Sequence, residues 1–176
     1  MKELSEFSNI LLAEALGETA KFVRLEANAV ERAALAGRFE LVSIESLVGD
    51  LIIERIKGSE LIRVRGRMSA EIQQFCVISG ETVSGNLVES VDERFGPSDE
   101  TGIEIEIAFE EENTPEPIID GRIDLAEIIA QYLGVAIDPY PRAPGAKILQ
   151  QYQDEEEKIL ETRKHPFEVL SSLQRE

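Results

Sequence analysis

The sequence predicts an α+β protein, in which a long-stranded antiparallel sheet carries two or three short helices. The first observation is a regular alternation of apolar and polar residues along 60–95, interrupted at 79–81. Strand side chains point to opposite faces in turn, so this alternation indicates two strands with one buried and one exposed face. The second observation is a pair of helix-capping patterns, which begin at Asn28 and Asp124. The 176 residues, 43% of them hydrophobic, suffice for one domain with a core of ordinary size.

The segment 60–95 is expected to form a β-hairpin on which the other elements assemble. Its first arm places residues of one parity on the buried face: Ile62, Val64, Met68, Ala70, Ile72, Cys76 and Ile78. Its second arm continues the pattern with Val83, Leu87, Val91 and Phe95. Gly80 provides the backbone freedom that a tight turn requires. Because both arms exceed the usual strand of about 5–6 residues, Gly66 and Gly85 could each mark a bulge or a bend.

Before the hairpin, the sequence predicts a strand, a short helix and two further strands. Residues 1–16 fit a helix and a strand equally well, whereas 19–26 alternate as a strand does. In the helix that follows, Asn28 and Glu31 fit a capping box, and Gly37 is placed to end it. Two segments rich in Leu, Ile and Val are expected to extend the antiparallel sheet, at 39–44 and 47–57.

After the hairpin, a second helix is clearly marked. Asp124 is placed to cap it and Gly134 to end it. Between the hairpin and this helix, 103–109 is a candidate strand and 110–117 an acidic linker broken by prolines.

The chain is expected to form one domain at 1–146, followed by a flexible acidic tail at 147–176. Within the domain, an acidic loop is expected at 96–120. The tail should end in a short amphipathic helix, whose apolar residues share one face: Phe167, Leu170 and Leu173.

Net charge separates the possible partners. The chain carries a formal net charge of −17, and residues 89–120 contain twelve acidic residues and one basic residue, Arg94. Nucleic-acid backbones attract clusters of Lys and Arg and on average repel a chain this acidic. The charge favours a basic partner instead, such as a cationic protein. A solvated loop that only improves solubility is the alternative.

Composition and motifs give little support for an enzyme. A single cysteine allows no internal disulfide, and no apolar run approaches the ~20 residues that span a bilayer, so a cytoplasmic protein is expected. Cys76 falls on the buried face, and the only histidine is His165 in the tail, so a core thiol is expected. There is no Walker loop, dinucleotide fingerprint or serine elbow. No catalytic residue, cofactor or metal ligand is predicted.

Three arginines share the exposed face of the first hairpin strand: Arg63, Arg65 and Arg67. We call them the arginine stripe. At about 3.3 Å per residue, their guanidinium groups would extend over about 13 Å. Such a stripe can bind phosphates, or a row of carboxylates on a partner. The alternative is pairing across strands with acidic residues of the same protein: Glu54, Glu89 or Asp92.

Four features together resemble those of a known family. They are Phe75-Cys76 before the bend, Asp124-Leu125 at a helix start, the proline-rich segment 138–146 and the terminal motif 166–173. On these features the chain resembles the YceD family, the large ribosomal RNA subunit accumulation proteins, in the form typical of alphaproteobacteria. The resemblance implies a cytoplasmic role in the synthesis or accumulation of large-subunit (23S) ribosomal RNA, and no established catalytic residues.

Two positions differ from the family pattern. Many members have Cys-x-x-Cys at the bend, whereas here Ser79 follows Cys76, which disfavours metal binding or redox chemistry. The terminal motif usually begins with Asn and ends in a basic residue, and these places hold His165 and Gln174.

The sequence therefore predicts a non-enzymatic ribosome biogenesis factor that binds a basic ribosomal protein or a large-subunit assembly intermediate. The residues expected to contact the partner are Arg63, Arg65, Arg67, Glu110, Glu111, Glu112, Tyr140, Arg142, Phe167, Leu170 and Leu173. Direct RNA binding by the arginine stripe is the first alternative. A metal-dependent hydrolase that uses the acidic cluster is the second.

Overall fold

A five-stranded sheet organises the protein. The computed structural model describes residues 6–97 and 115–147. In the order β2-β3-β4-β5-β6, the strands of the sheet are Lys21–Glu26, Ser43–Arg55, Ile62–Phe75, Thr82–Pro97 and Glu116–Ile118. A second, two-stranded sheet pairs β1 (Ile10–Leu12) with β7 (Arg122–Asp124). The helices are α1 (Ala29–Arg38) and α2 (Leu125–Ala136). The predicted α+β class with a long-stranded, mainly antiparallel sheet is confirmed.

The strands β4 and β5 form the predicted hairpin. They pair antiparallel in one unbroken register, from Ile62 opposite Phe95 to Phe75 opposite Thr82. Gly80, in the connection between them, has a φ of 72°, which glycine adopts without steric cost. The alternation of apolar and polar residues therefore identified both strands.

The suggestion of a bulge at Gly66 or Gly85 is wrong, since the register of β4 and β5 does not shift. The irregularity lies in β3, between Ile44 and Ser46. Gly66 has another reason to lack a side chain, because a Cβ atom there would overlap the backbone carbonyl oxygen of Asp50 on β3. The glycine permits close approach of the two central strands.

The helices cover one face of the sheet, which we call the inner face; the opposite face is the outer face. On the inner face, Ile129 of α2 sits directly on Gly49, where a Cβ atom would lie 2.6 Å from Ile129 Cδ1. α1 packs against β3. Aliphatic side chains form the centre of the core: Leu35, Leu47, Leu51, Ile53, Val64, Ile72, Ile129 and Leu133.

Both predicted helix starts are confirmed. Asn28 accepts hydrogen bonds from the N–H groups of Val30 and Glu31, and the Glu31 carboxylate accepts the N–H of Asn28 at 2.7 Å. Asp124 accepts two N–H groups of the first turn of α2. These bonds satisfy backbone donors that have no partner within the helix.

Both predicted helix ends are wrong. α1 continues through Gly37 to Arg38, and the left-handed residue after it is Glu40, with a φ of 55°. α2 continues past Gly134 to Ala136. Gly134 makes room for the ring of Phe39, since a Cβ atom there would lie 2.8 Å from Phe39 Cε1.

Other boundaries differ from the prediction. The strand predicted at 39–44 starts only at Ser43, because the residues before it form the turn after α1. The end of the predicted linker forms β6, which pairs in parallel with the end of β5. The candidate strand at 103–109, most of the acidic loop and nearly all of the tail lie outside the described residues, so these stay predictions. In the described ranges, no helix is long and apolar enough to cross a membrane.

Candidate partner-binding surface

The arginine stripe lies on the outer face, where the register of four strands arranges side chains in rows. One row holds Phe22, Ile52, Arg65 and Asp92. The next row holds Arg24, Asp50, Arg67 and Ser90. The third stripe residue, Arg63, lies between Glu54 of β3 and Arg94 of β5. Because β4 lies between β3 and β5, every stripe arginine has neighbours on both sides.

Two of the three stripe arginines are paired with carboxylates on neighbouring strands. Arg63 binds Asp92 on β5 twice, with Nε 2.7 Å from Oδ1 and Nη2 2.5 Å from Oδ2. These hydrogen bonds raise the pKa of Arg63 and lower the pKa of Asp92. Arg65 Nε lies 3.3 Å from Glu54 Oε1 on β3. Glu89, the third expected partner, is in register with the buried Met68 and therefore belongs to the inner face.

Arg67 differs from the other two. It is exposed and makes no ion pair with any residue that the structure describes. Its neighbour across the strands, Asp50, is bound by Arg24 of β2 instead, with Nη1 3.0 Å from Oδ1 and 3.1 Å from Oδ2. Among the residues that the structure describes, the stripe thus contains two arginines that are paired with carboxylates and one, Arg67, that is not.

The outer face as a whole is balanced in charge. In register across β2 to β5 it holds five arginines and five carboxylates: Arg24, Arg63, Arg65, Arg67, Arg94, Glu26, Asp50, Glu54, Glu71 and Asp92. The chain as a whole has a net charge of −17. Sequence reasoning missed Arg24, Asp50 and Arg94 as parts of this surface, although their parity within the strands matches that of the stripe.

The proline-rich segment lies at another place, against the turn end of the hairpin. The N–H of Val77 donates to the carbonyl of Pro141 at 2.9 Å, and Gln74 Nε2 donates to the carbonyl of Asp138 at 2.9 Å. Tyr140 is 69% exposed, and Arg142 is exposed beside it. The end of β4 lies about 26 Å from the arginine stripe at about 3.3 Å per residue. Tyr140 and Arg142 are therefore both exposed near the turn end of the hairpin, away from the stripe.

Cys76 joins the proline-rich segment to the hairpin. Its sulfur accepts backbone N–H groups from Ala143 at 3.2 Å, Ser79 at 3.3 Å and Ile78 at 3.4 Å. The bond from Ala143, followed by those from Ser79, lowers the pKa of the thiol to about 6. The predicted burial is confirmed, since Cys76 is 2% exposed, but it lies outside the main apolar cluster. Its contacts give it a structural role.

The acidic residues of the described ranges do not gather around a common point. No three side chains among His, Cys, Asp and Glu are placed there to hold a metal ion. Two sets of predicted contact residues lie outside the described residues: Glu110, Glu111 and Glu112, and Phe167, Leu170 and Leu173.

Comparison with known families decides the assignment. The family model described as Large ribosomal RNA subunit accumulation protein YceD matches residues 64–174, more than half of the chain. The chain belongs to the YceD family. The match includes all four features on which the resemblance rests, from the hairpin to the terminal motif. No match was found among the curated proteins or among the solved structures.

Membership of the YceD family implies a role in the accumulation of large-subunit ribosomal RNA. This family role agrees with the predicted function as far as the accumulation of large-subunit ribosomal RNA is concerned. The alphaproteobacterial form of the family and the identity of the bound partner stay predictions.

Proposed function

We propose that this YceD protein supports the accumulation of large-subunit ribosomal RNA without catalysing a reaction, by binding a basic ribosomal protein or an assembly intermediate that contains one. The observation that carries the proposal is the pairing of Arg63 with Asp92 and of Arg65 with Glu54. The carboxylates beside these guanidinium groups cancel the positive charge that would attract phosphates, even where a single exposed ion pair exchanges easily.

The acidic residues outside the arginine stripe support a basic protein as the partner. Residues 89–120 hold twelve of the acidic residues, among them Glu110, Glu111 and Glu112. A cationic protein is attracted to such a segment, whereas bare RNA is repelled. We assign the first contact to this segment and a second contact to the terminal motif, which docks as an amphipathic helix through Phe167, Leu170 and Leu173.

Affinity capture tests the proposal. The tagged full-length chain is incubated with bacterial lysate at about 0.05 M and about 0.5 M salt, each with and without ribonuclease. Large-subunit ribosomal proteins should be recovered at low salt, persist after ribonuclease and be lost at high salt, because screening weakens contacts between exposed charges.

Two matched variants separate the protein contact from RNA binding. Replacing Glu110, Glu111 and Glu112 by Gln should reduce recovery of the ribosomal proteins. Replacing Arg63, Arg65 and Arg67 by Gln should leave it unchanged. If capture is abolished by ribonuclease and lost in the arginine variant, the result would instead support direct RNA binding. Arg67, which is exposed and has no ion pair among the described residues, favours this alternative. Recovery of no ribosomal protein at low salt would rule out the proposal.

A further inference from the structure

The two central strands carry opposite charges on the outer face. β3 presents Asp50 and Glu54, and β4 presents the arginine stripe. The register places Asp50 level with Arg67, and Glu54 level with Arg63. Two carboxylates of β3 therefore lie beside the three guanidinium groups of β4, along the boundary between the two strands, which we call the seam.

The ion pairs that form within one chain leave this face able to bind. The bonds Arg24–Asp50, Arg63–Asp92 and Arg65–Glu54 join side chains that remain 32–59% exposed. Exposed pairs of this kind contribute about 0–1 kcal/mol, so they exchange partners at little cost. Arg67 has no carboxylate partner among the described residues.

We propose that two copies of the chain associate through their outer faces, about a two-fold axis that runs along the seam between β3 and β4. This rotation lays β3 of one copy over β4 of the other and keeps the rows level. Asp50 then faces the partner's Arg67, and Glu54 faces the partner's Arg63. Because a two-fold interface is self-complementary, each pair occurs twice. Arg67, which has no carboxylate partner among the described residues, gains one.

Charge balance makes a second copy the occupant that fits best. Two chains with a net charge of −17 repel each other on average, but the outer face, with five arginines and five carboxylates, adds no net repulsion. A strongly basic protein would find no excess of acid on this face, and RNA would find no excess of arginine.

The size of the outer face also suits a dimer. β3, β4 and β5 lie about 4.8 Å apart and extend about 43 Å over the 13 residues of β3, and with the shorter β2 they cover about 700 Å² per copy. A standard interface buries about 800 Å² per partner. Association would also cover Phe22 and Val88, which are 64% and 58% exposed.

Charge reversal provides the test. Sedimentation velocity on the full chain, from about 1 to 100 μM, should show a dimer that weakens as salt increases. Arg67→Asp sets two carboxylates against each other in both copies of the Asp50–Arg67 pair, and Asp50→Arg does the same with two guanidinium groups. Each variant alone should associate at least about tenfold more weakly than the wild type.

Mixing the two variants is the decisive step. In the mixed dimer, Asp50 of one chain faces Arg67 of the other, and the two introduced residues form the second pair, so association should return. Arg122→Asp on β7 is the matched control, because it makes the same charge change on an exposed residue away from the outer face, and it should dimerise as the wild type does. Circular dichroism checks that each variant is folded. If a charge-reversal variant does not fold, Arg67→Gln is used in its place. Because it introduces no like charge, it should weaken association less than charge reversal does.

Three results would overturn the inference. The first is a wild-type chain that stays monomeric over the whole concentration range. The second is a dimer that neither reversal weakens, which would place the interface elsewhere, such as at the edge of β5. The third is a mixture of two folded variants that remains monomeric.

Discussion

Asp124 does more than begin α2, and its removal should show how the N-terminal segment is held. Its Oδ1 atom accepts the N–H groups of Ala126 at 3.1 Å and Glu127 at 3.3 Å, which caps the helix. The same atom accepts the N–H of Asn9 at 2.8 Å, and Oδ2 accepts the hydroxyl of Ser8 at 2.7 Å. One carboxylate therefore ties β1 to the start of α2.

The cost of Asp124→Ala follows from these bonds. Losing a helix cap costs about 1 kcal/mol. Each of the two hydrogen bonds from the N-terminal segment contributes about 1 kcal/mol more. The free energy of unfolding should therefore fall by about 3 kcal/mol. Asp124→Asn should cost only about 1 kcal/mol, because its amide oxygen can replace Oδ1, which accepts three of the four bonds.

Urea unfolding followed by circular dichroism measures the change. Asn28→Ala is the matched control, because Asn28 caps α1 with two similar N–H bonds and should cost only about 1 kcal/mol. If Asp124→Ala proves no more destabilising than Asn28→Ala, the bonds from Ser8 and Asn9 contribute nothing and the reasoning is refuted.

Two further predictions concern the hairpin. Gly66→Ala should lower the free energy of unfolding by more than about 4 kcal/mol, because the added Cβ atom would overlap backbone atoms of β3. Gly85→Ala should change it by less than about 1 kcal/mol, since its Cβ atom would meet Ile72 Cγ1 at an ordinary 3.4 Å. Equal urea midpoints for the two variants would contradict this prediction. The pKa of Cys76 is lowered from 9.0 to about 6 in the folded protein, so its thiolate stabilises the fold fully above pH 9.0, and this contribution is lost as the pH falls through about 6. The difference in unfolding free energy between wild type and Cys76→Ala should therefore grow in favour of the wild type from about pH 6 to about pH 9, and a difference that stays constant with pH would show that the thiolate does not form.

Local patterns in the sequence predicted the hairpin and both helix starts, because alternation and capping depend on residues a few positions apart. The helix ends could not be predicted in this way. Gly134 looks like a stop signal, yet it lies inside α2 because the ring of Phe39, distant in sequence, needs its space. The turn between Ile119 and Arg122 was predictable and was missed. Its residues Asp120 and Gly121 have φ values of 53° and 67°, and Asp-Gly is a strong hairpin signal.

For the candidate surface, too, local patterns were predictable from the sequence, whereas contacts between distant segments were not. Strand parity predicted correctly that the stripe arginines share one face, and the same parity would have excluded Glu89 as a partner. The ion pair Arg24–Asp50 could not be predicted from the sequence, because β2 and β3 are separated by α1 and their register is set by tertiary packing. Without that register, the charge balance of the outer face could not be recognised.

Binding to bare large-subunit ribosomal RNA tests the central claim most directly. The purified full chain is titrated onto this RNA at about 0.15 M salt, with a purified mixture of large-subunit ribosomal proteins titrated in parallel. We expect no RNA complex up to about 10 μM chain and saturable binding of one or more basic proteins well below that concentration. Tight binding of the RNA alone, lost when Arg63, Arg65 and Arg67 are replaced by Gln, would contradict the account.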